Sequence, residues 1–247
     1  MNNQIKNILD QKIEIIKKKG SPDLALVGPI QLPVQLGDEE ITFQWYSWLN
    51  LNDLPTNKEE LLEALPYANL SHNQQSSVLV YGDFKHDDHS LIRFHSICHT
   101  GDIFGSKRCD CGFQLRQSMK MIVQHGSGAL FYLADHEGRG IGLFTKSLAY
   151  LLQENGFDTV DANLELGFED DERSYEEAIR VLKTLRTKSV CLITNNPKKL
   201  ESLRAAGMVV DTHIPLWGDV SDYNKKYLQT KIEKSGHLYD VVAAMVN

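Results

Sequence analysis

The chain has 247 residues, of which 42% are hydrophobic and 24% charged, and its formal net charge is -7. This length suits one large domain or one domain with an N-terminal extension. The acidic balance argues against a broad nucleic-acid-binding face, which needs basic residues. No window approaches the roughly 18 consecutive apolar residues of a membrane helix. The N-terminal segment lacks the apolar core of a secretory signal, so we expect a cytoplasmic protein.

The N-terminal part predicts a helix, short strands and a second helix. Residues 3–19 place isoleucines on one stripe, which predicts an amphipathic helix that stops at Gly20. Residues 28–49 mix proline, glycine and β-forming side chains, so we expect short antiparallel strands there. A short helix is expected near 58–65, because Pro66 follows it.

A polar run at 68–77, ANLSHNQQSS, marks the predicted boundary between two parts of the chain. Residues 1–76 form an N-terminal extension, and residues 77–247 form the main domain.

Strand and helix patterns alternate in the main domain. Two strands, 77–84 and 90–98, are expected to be joined by the polar turn KHDDH. A helix ending at Gly126 follows, and a capping box of Ser174 with Glu177 opens a later one. Together with the N-terminal elements, this alternation predicts an α/β fold: a mixed, largely parallel sheet flanked by helices, with an N-terminal helix and an antiparallel β extension. Buried strands are expected at 129–134, 189–194 and 208–216, with helices at 142–156, 174–185 and 197–207.

Three of the four cysteines, Cys98, Cys109 and Cys111, lie within fourteen residues. Clustered cysteines in a chain without a secretory signal favour metal binding or catalysis over disulfides. Structural zinc usually has four protein ligands, whereas three leave a position open for water at a catalytic zinc. Spacing alone leaves three possibilities open: a catalytic zinc, a structural site completed by His95 or His99, and buried thiols.

Two strand-to-helix turns have features of anion-binding sites. The turn DHEGRGIG at 135–142 combines glycines, which let backbone N–H groups approach an anion, with the guanidinium of Arg139. The turn TNNPKK at 194–199 places Lys198 and Lys199 in the first turn of a helix, where lysines oppose the helix dipole. Each pattern alone is also consistent with an ordinary turn.

Two further positions are ambiguous by pattern. The acidic segment GFEDDERSY at 167–175 precedes a helix, where carboxylates are ordinary dipole partners, although one could serve as a general base. Tyr150 lies in the middle of a predicted helix and is a core residue by periodicity.

Six segments resemble, in chain order, those of GTP cyclohydrolase II, the first enzyme of riboflavin synthesis. The resemblance implies a zinc-dependent enzyme that hydrolyses GTP to 2,5-diamino-6-ribosylamino-pyrimidinone 5'-phosphate, formate and pyrophosphate, with Mg²⁺ on the GTP phosphates. It also implies a homodimer. The segments cover roughly residues 77–238 and read RFHSICHTGDIFGSKRCDCGFQL, HEGRGIGL, GFDTVDANLELGF, DDERSY, LITNNPKKLE and YLQTKIEKSGHL.

The resemblance also implies roles for individual residues. The three clustered cysteines match the zinc ligands, and an activated water would open the imidazole ring of guanine. Asp171 matches the proton acceptor, Tyr150 matches a tyrosine of the catalytic site, and Arg173 matches the residue assigned as nucleophile toward the α-phosphate. Because a guanidinium is protonated at any ordinary pH, charge stabilisation is the alternative for Arg173. Nucleotide contacts map onto Arg93, Phe94, His95, Ser96, Ile97, Gln114, Glu137, Gly138, Arg139, Thr159, Thr194 and Lys199.

Two positions depart from the pattern of the family. Ile97 stands where an acidic residue is usual, and His99 stands where leucine is usual; both flank Cys98. Two other functions therefore stay open: a paralogue with an altered nucleotide substrate or product, and a non-catalytic GTP-binding regulatory protein that keeps the zinc.

Overall fold

The computed structural model describes residues 1–72, 75–218, 220–233 and 236. The last matched segment, 227–238, lies partly outside these residues. The helices are α1 (Asn3–Asp10), α2 (Lys58–Ala64), α3 (His99–Asp102), α4 (Cys111–His125), α5 (Gly142–Glu154), α6 (Thr159–Glu165), α7 (Glu176–Leu185), α8 (Pro197–Ala205) and α9 (Lys225–Glu233). The strands are β1 (Ile13–Ile16), β2 (Leu24–Leu36), β3 (Glu39–Asn50), β4 (Ser77–Tyr81), β5 (Ser90–Ser96), β6 (Gly128–Leu133), β7 (Val190–Ile193) and β8 (Val210–Ile214).

These strands form one sheet in the order β1-β2-β3-β4-β6-β5-β7-β8. The strands β1 to β4 pair antiparallel in sequence, and β4 pairs antiparallel with β6. The strands β6, β5, β7 and β8 run parallel. The predicted fold class is confirmed. All four residues of β7 are buried, as expected for a parallel strand that is covered on both faces.

Apolar clusters lie on both faces of the sheet. One cluster joins Phe94 and Phe131 of the sheet to side chains of α7 and α8, such as Leu182. The other joins Leu130 of the sheet to Ile122 of α4. Helices therefore cover both faces, and the loops at the strand ends are left to form a site. No helix of the described residues has the length and hydropathy that crossing a membrane requires.

The prediction of a helix over residues 3–19 is wrong in its second half. The helix α1 ends at Asp10, and β1 pairs antiparallel with β2, from Ile13 opposite Val27 to Ile16 opposite Leu24. The β-branched isoleucines satisfy a helical stripe, but they pack better on a pleated sheet once a partner strand is available.

The predicted hairpin around KHDDH is also wrong. The strands on either side of this turn do not pair with each other, because β6 lies between them, antiparallel to β4 and parallel to β5. The extension continues the same sheet, since β3 pairs with β4 from Gln44 opposite Val80 to Ser47 opposite Ser77. The boundary between residues 76 and 77 stays a prediction.

Helix ends follow the sequence signals in two places and differ in one. Gly126 ends α4 in a left-handed conformation, and the side chain of Asn196 caps α8 by accepting from the N–H of Lys198. The predicted capping box on α7 is wrong: Glu177 is turned away from the helix end and accepts from Trp48 Nε1 at 3.1 Å.

Candidate active site

A cavity opens where β5, β6 and β7 reach their carboxyl ends, the usual position of ligand sites in α/β sheets. Each strand runs directly into one segment of the wall: the cysteine loop follows β5, residues 134–142 follow β6, and residues 194–196 follow β7. The helices α5 and α6 complete the wall.

The sulfur atoms of Cys98, Cys109 and Cys111 all lie within 4.8 Å of one another, and among the described residues this is the group that could hold a metal ion. The sulfurs of Cys98 and Cys109 are 3.6 Å apart. Tetrahedral zinc with bonds of about 2.3 Å separates its sulfur ligands by roughly 3.8 Å, so the arrangement fits zinc. A side chain on Gly101 would place a Cβ 2.9 Å from the Cys109 sulfur. Only glycine at this position lets the thiols approach.

The remaining cysteine and the histidines considered as ligands lie outside this group. All four cysteines are free thiols, and Cys191 is buried in β7. The ring of His95 is held at 3.0 Å from Asp102 through Nε2, and the ring of His99 packs edge-on against Phe104 at 4.9 Å between centroids. Within the described parts of the chain, the structure thus brings together three candidate metal ligands rather than four.

Asp102 fixes the start of the cysteine loop. Its carboxylate accepts hydrogen bonds from the backbone N–H of Cys98 and from the hydroxyl of Tyr132, each at 3.0 Å. Hydrogen bonds with Cys109 and Cys111 lower the pKa of Cys98, and the charge of a nearby lysine adds to this effect.

Asp171 and Arg173 form a bidentate ion pair. Arg173 Nε donates to Asp171 Oδ1 at 2.7 Å and Nη2 donates to Oδ2 at 2.8 Å, while Nη1 donates to Ser96 Oγ at 3.2 Å. Burial raises the pKa of Asp171, but the hydrogen bonds and charge of Arg173 outweigh it and hold that pKa well below its usual range. Burial likewise opposes the charge on Arg173, yet Tyr175 and Asp171 keep its pKa above the ordinary value. Both groups are charged near neutral pH.

The glycine-rich turn after β6 packs against the segment that carries this pair. Arg139 has a left-handed backbone, with φ of 70°, and its guanidinium donates to the Asp170 carboxylate. The carbonyl of Arg139 accepts from the N–H of Glu172 at 3.0 Å. A Cβ added to Gly140 would come within 2.9 Å of the Glu172 side chain, so this close approach requires glycine.

A buried network lies on the α4 side of the cavity. Arg93 donates through Nη1 to the Ile193 carbonyl at 3.0 Å and through Nη2 to the side-chain oxygen of Gln114. Gln114 in turn donates to Asp110. On the same side of the sheet as α8, Lys199 donates to the Phe94 carbonyl at 2.6 Å.

Most side chains predicted for the site line this one cavity, but Phe94 and Asp171 do not. The Phe94 ring is fully buried in the core and stacks on Tyr175, so only its carbonyl is near the site. Asp171 lies behind Arg173 and faces a neighbouring cavity between α7 and α8. The structure places these predicted residues in the wall: Arg93, His95, Ser96, Ile97, Cys98, Cys109, Cys111, Gln114, Glu137, Gly138, Arg139, Tyr150, Thr159, Arg173, Thr194 and Lys199.

Three residues that matter for the chemistry of the site are among the wall residues that the sequence analysis did not predict. Lys146 contacts Cys98, and Asn163, 1% exposed, has a side-chain nitrogen without a hydrogen-bond partner among the described residues. Each lies four residues from a predicted site residue on the same helix, Lys146 before Tyr150 and Asn163 after Thr159, and this spacing is the signal that could have found them.

The third is His136, whose ring nitrogens are both engaged. Its Nδ1 lies 3.1 Å from Ser96 Oγ and its Nε2 lies 2.9 Å from the Ser174 carbonyl. Burial lowers the pKa of His136 to about 4. This imidazole is therefore neutral at physiological pH and joins the segments around the ion pair of Arg173.

Comparison with known proteins agrees with the site. Residues 50–215 match the family model of GTP cyclohydrolase II. Similar curated proteins are named riboflavin biosynthesis protein RibBA: that of Bacillus cereus is 46% identical over 178 residues, that of Parabacteroides distasonis 44% over 186, and that of Phocaeicola vulgatus 42% over 185. The matches cover 72% to 75% of this chain but 45% of each relative, so the chain spans less than half the length of these proteins. The resemblance predicted from the sequence is confirmed, and the chain belongs to the GTP cyclohydrolase II family.

Proposed function

We propose that the chain is a zinc-dependent GTP cyclohydrolase II, which hydrolyses GTP to 2,5-diamino-6-ribosylamino-pyrimidinone 5'-phosphate, formate and pyrophosphate. One observation carries this proposal: three thiols within 4.8 Å of one another share a cavity with several guanidinium and ammonium groups. This combination offers a metal site and a polyanion site side by side. The names of the relatives connect those proteins with riboflavin biosynthesis.

At the metal end, Cys98, Cys109 and Cys111 would hold zinc. When bound there, zinc would supply Lewis-acid chemistry that activates water, which the opening of the guanine imidazole ring requires. Burial raises the pKa of Tyr150, so its hydroxyl keeps a proton and is available to donate a hydrogen bond to the substrate. Thr100 Oγ1 lies 3.4 Å from that hydroxyl and helps to orient it.

At the phosphate end, we assign charge stabilisation to Arg173. A guanidinium that is fixed by the two hydrogen bonds it donates to Asp171 is protonated and therefore a poor nucleophile. It is well suited to stabilise negative charge on the α-phosphate as pyrophosphate leaves. Asp171, which stays ionised, orients this group. Arg139 and Lys199 line the same cavity, and Mg²⁺ on the phosphates would reduce the charge that the protein must neutralise.

In the part of the cavity that would hold the guanine base, side-chain amides would form hydrogen bonds with the purine. The side-chain oxygen of Gln114 accepts a hydrogen bond from Arg93, and one N–H of its amide donates to Asp110. The second N–H of the amide is left for a ligand. Asn163 adds a buried amide nitrogen without a partner among the described residues. Ile97, which also lines the cavity, contributes only apolar contact here.

The proposal is tested by incubating the protein with GTP, Zn²⁺ and Mg²⁺ and measuring formate and pyrophosphate. Both products are expected; absence of formate at saturating zinc would contradict the proposal. Cys109→Ser should abolish zinc binding and ring opening together. Cys191→Ser is the matched control, because this buried thiol lies in β7 outside the cluster, and it should keep both.

The role of Arg173 is tested separately. Arg173→Ala is expected to lower turnover by roughly 10²–10³ while bound zinc is unchanged. The matched control is Arg204→Ala, because Arg204 is exposed on α8, and this variant should turn over as the wild type does. Loss of zinc in Arg173→Ala would contradict the assigned role.

We also infer a homodimer. Phe144 and Leu151 lie seven residues apart on α5, so they share one helix face, and they are 77% and 57% exposed. Exposed apolar side chains on one face favour a protein partner. The cytoplasmic location expected from the sequence stays a prediction.

A further inference from the structure

We propose that Lys146 is a positioning residue for the metal centre: its ammonium group holds the sulfur of Cys98 in place through an N–H···S hydrogen bond and withdraws electron density from it. The inference rests on the proposed zinc site. It concerns a lysine on α5 that faces the cysteine loop across the cavity wall.

The geometry satisfies every donor of the ammonium group. Lys146 Nζ lies 3.2 Å from Cys98 Sγ, 2.6 Å from Glu137 Oε1 and 3.3 Å from Thr100 Oγ1. An ammonium has three donors and no acceptor, and three acceptors surround this one. Lys146 is 8% exposed, so water does not compete for these positions.

Glu137 extends the contact from the side chain of Cys98 to its backbone. Glu137 is 2% exposed, and its second oxygen accepts from the backbone N–H of His99 at 2.7 Å. Lys146 and Glu137 together therefore hold the Cys98 sulfur and the peptide immediately after it. A lysine that served only to pack α5 would need neither contact.

The hydrogen bond to sulfur has an electronic consequence. A thiolate that accepts a hydrogen bond donates less charge to a bound metal, which makes the metal a stronger Lewis acid. Residues that contact a ligand in this way typically change metal affinity or activity by 10–100-fold when they are replaced. Because an ammonium is charged, its hydrogen bond is stronger than one from a neutral donor.

Cobalt substitution tests the inference directly. In the Co²⁺-loaded protein, the sulfur-to-cobalt charge-transfer band reports the electron density on the thiolates. Lys146→Met is expected to move this band to longer wavelength and to weaken zinc binding by roughly 10–100-fold, measured by competition with a chromophoric chelator. Lys146→Arg, which keeps charge and donors, should restore much of both.

Lys107→Met is the matched control. Lys107 lies in the same loop, two residues before Cys109, but it is exposed. The same loss of a positive charge there should leave the band and the zinc affinity at wild-type values. An equal shift in the control would show a general effect of charge and overturn the inference.

The outcomes separate this inference from the proposed function. Unchanged band and affinity in Lys146→Met overturn the role of Lys146, as does a lower melting temperature with both unchanged, which indicates a purely structural lysine. If Lys146→Met does not fold, Lys146→Gln replaces it, with the same shift expected and an unshifted band contradicting the inference. A wild-type protein that binds neither metal contradicts both proposals.

Discussion

At the scale of single residues, two buried ion pairs lie at the cavity. The Glu137 and Lys146 side chains are in contact, as are those of Asp171 and Arg173, and all four are largely shielded from solvent. Removing one member of a buried pair leaves an uncompensated charge, which costs about 3–5 kcal/mol. Replacing both members by apolar residues of similar size is therefore expected to destabilise the protein less than replacing one.

Because the imidazole of His136 is buried and has a low pKa, we expect the protein to lose stability in mild acid. Its pKa in the folded protein is about 4, whereas an unfolded histidine titrates near 6.5. Between these values the unfolded chain binds a proton that the folded protein does not, so the free energy of unfolding falls as the pH is lowered from about 6.5 to about 4. At the lower limit this loss amounts to about 3 kcal/mol.

Urea unfolding at pH 7 and pH 4.5 measures this loss. His136→Asn should lose less stability between the two pH values than the wild type, because the proton-binding difference is gone. His213→Asn, which replaces an exposed histidine of β8, should lose as much as the wild type. Identical losses in wild type and His136→Asn would contradict the prediction.

The residues of the site differ in how far the sequence predicts them. Clustered thiols such as Cys109 and Cys111 indicate a metal site, because soluble chains seldom place reactive side chains so close without use. Lys146 and Asn163 are indicated only by their spacing of four residues from Tyr150 and Thr159 on the same helices. A lysine or asparagine on an amphipathic helix is usually solvated, and its burial here depends on where α5 and α6 dock.

At the scale of elements, the N-terminal strands hold the helix that follows Arg173. The carboxylate of Glu177 in α7 accepts from Trp48 Nε1 at 3.1 Å and from Asn50 Nδ2 at 2.7 Å, both in β3. Arg180 donates to the carbonyl of Ile16 at the end of β1 at 2.9 Å. The extension thus fixes the start of α7, three residues after the ion pair.

Glu177→Ala is expected to destabilise the protein by about 1–3 kcal/mol, because it leaves two partly buried donors without an acceptor. It should also lower turnover of GTP while zinc binding stays intact, since the segment before α7 loses its anchor. Urea unfolding, product formation and metal content measure the three effects.

Glu176→Ala is the control for this prediction. Glu176 is also in the first turn of α7, but its ion pair with Lys18 is exposed, and such pairs contribute at most about 1 kcal/mol. If both variants behave alike, β3 does not anchor α7.

The type of a secondary-structure element depends on its own residues, whereas its partners in the sheet depend on distant parts of the chain. The type of element is predicted where burial repeats within it, as in β7 and α4, whose patterns identify a buried strand and a helix closed by glycine. Strand partners are set by contacts far apart in the chain. The sequence near KHDDH therefore predicts a turn, but it cannot show that β6 enters between β4 and β5.

At the scale of the whole molecule, two strongly exposed apolar side chains lie on a helix of the site. Phe144 and Leu151 are on α5, the helix that carries Lys146 and Tyr150 into the cavity wall. A dimer formed through this face would place two cavities close to the interface. The state of association is therefore expected to affect the site itself.

The double variant Phe144→Glu with Leu151→Glu is expected to be monomeric, because four carboxylates would face each other across the interface. Light scattering of the purified protein gives the mass in solution. Tyr67→Glu, at an exposed position that follows α2, should remain dimeric. A dimeric double variant would place the interface elsewhere, and a monomeric wild type would contradict the inferred homodimer.

The left-handed backbone conformation of Arg139 lowers the stability of the protein, whereas its side chain is needed in the cavity. Arg139 is the non-glycine residue with positive φ among those described, and for an ordinary side chain this conformation costs about 1–2 kcal/mol. Glycine would relieve the cost but would remove the guanidinium from the cavity. Laboratory evolution that selects only for thermal stability of the protein would favour glycine at position 139. Such a selection would yield a more heat-stable protein whose cavity has lost the positive charge of Arg139.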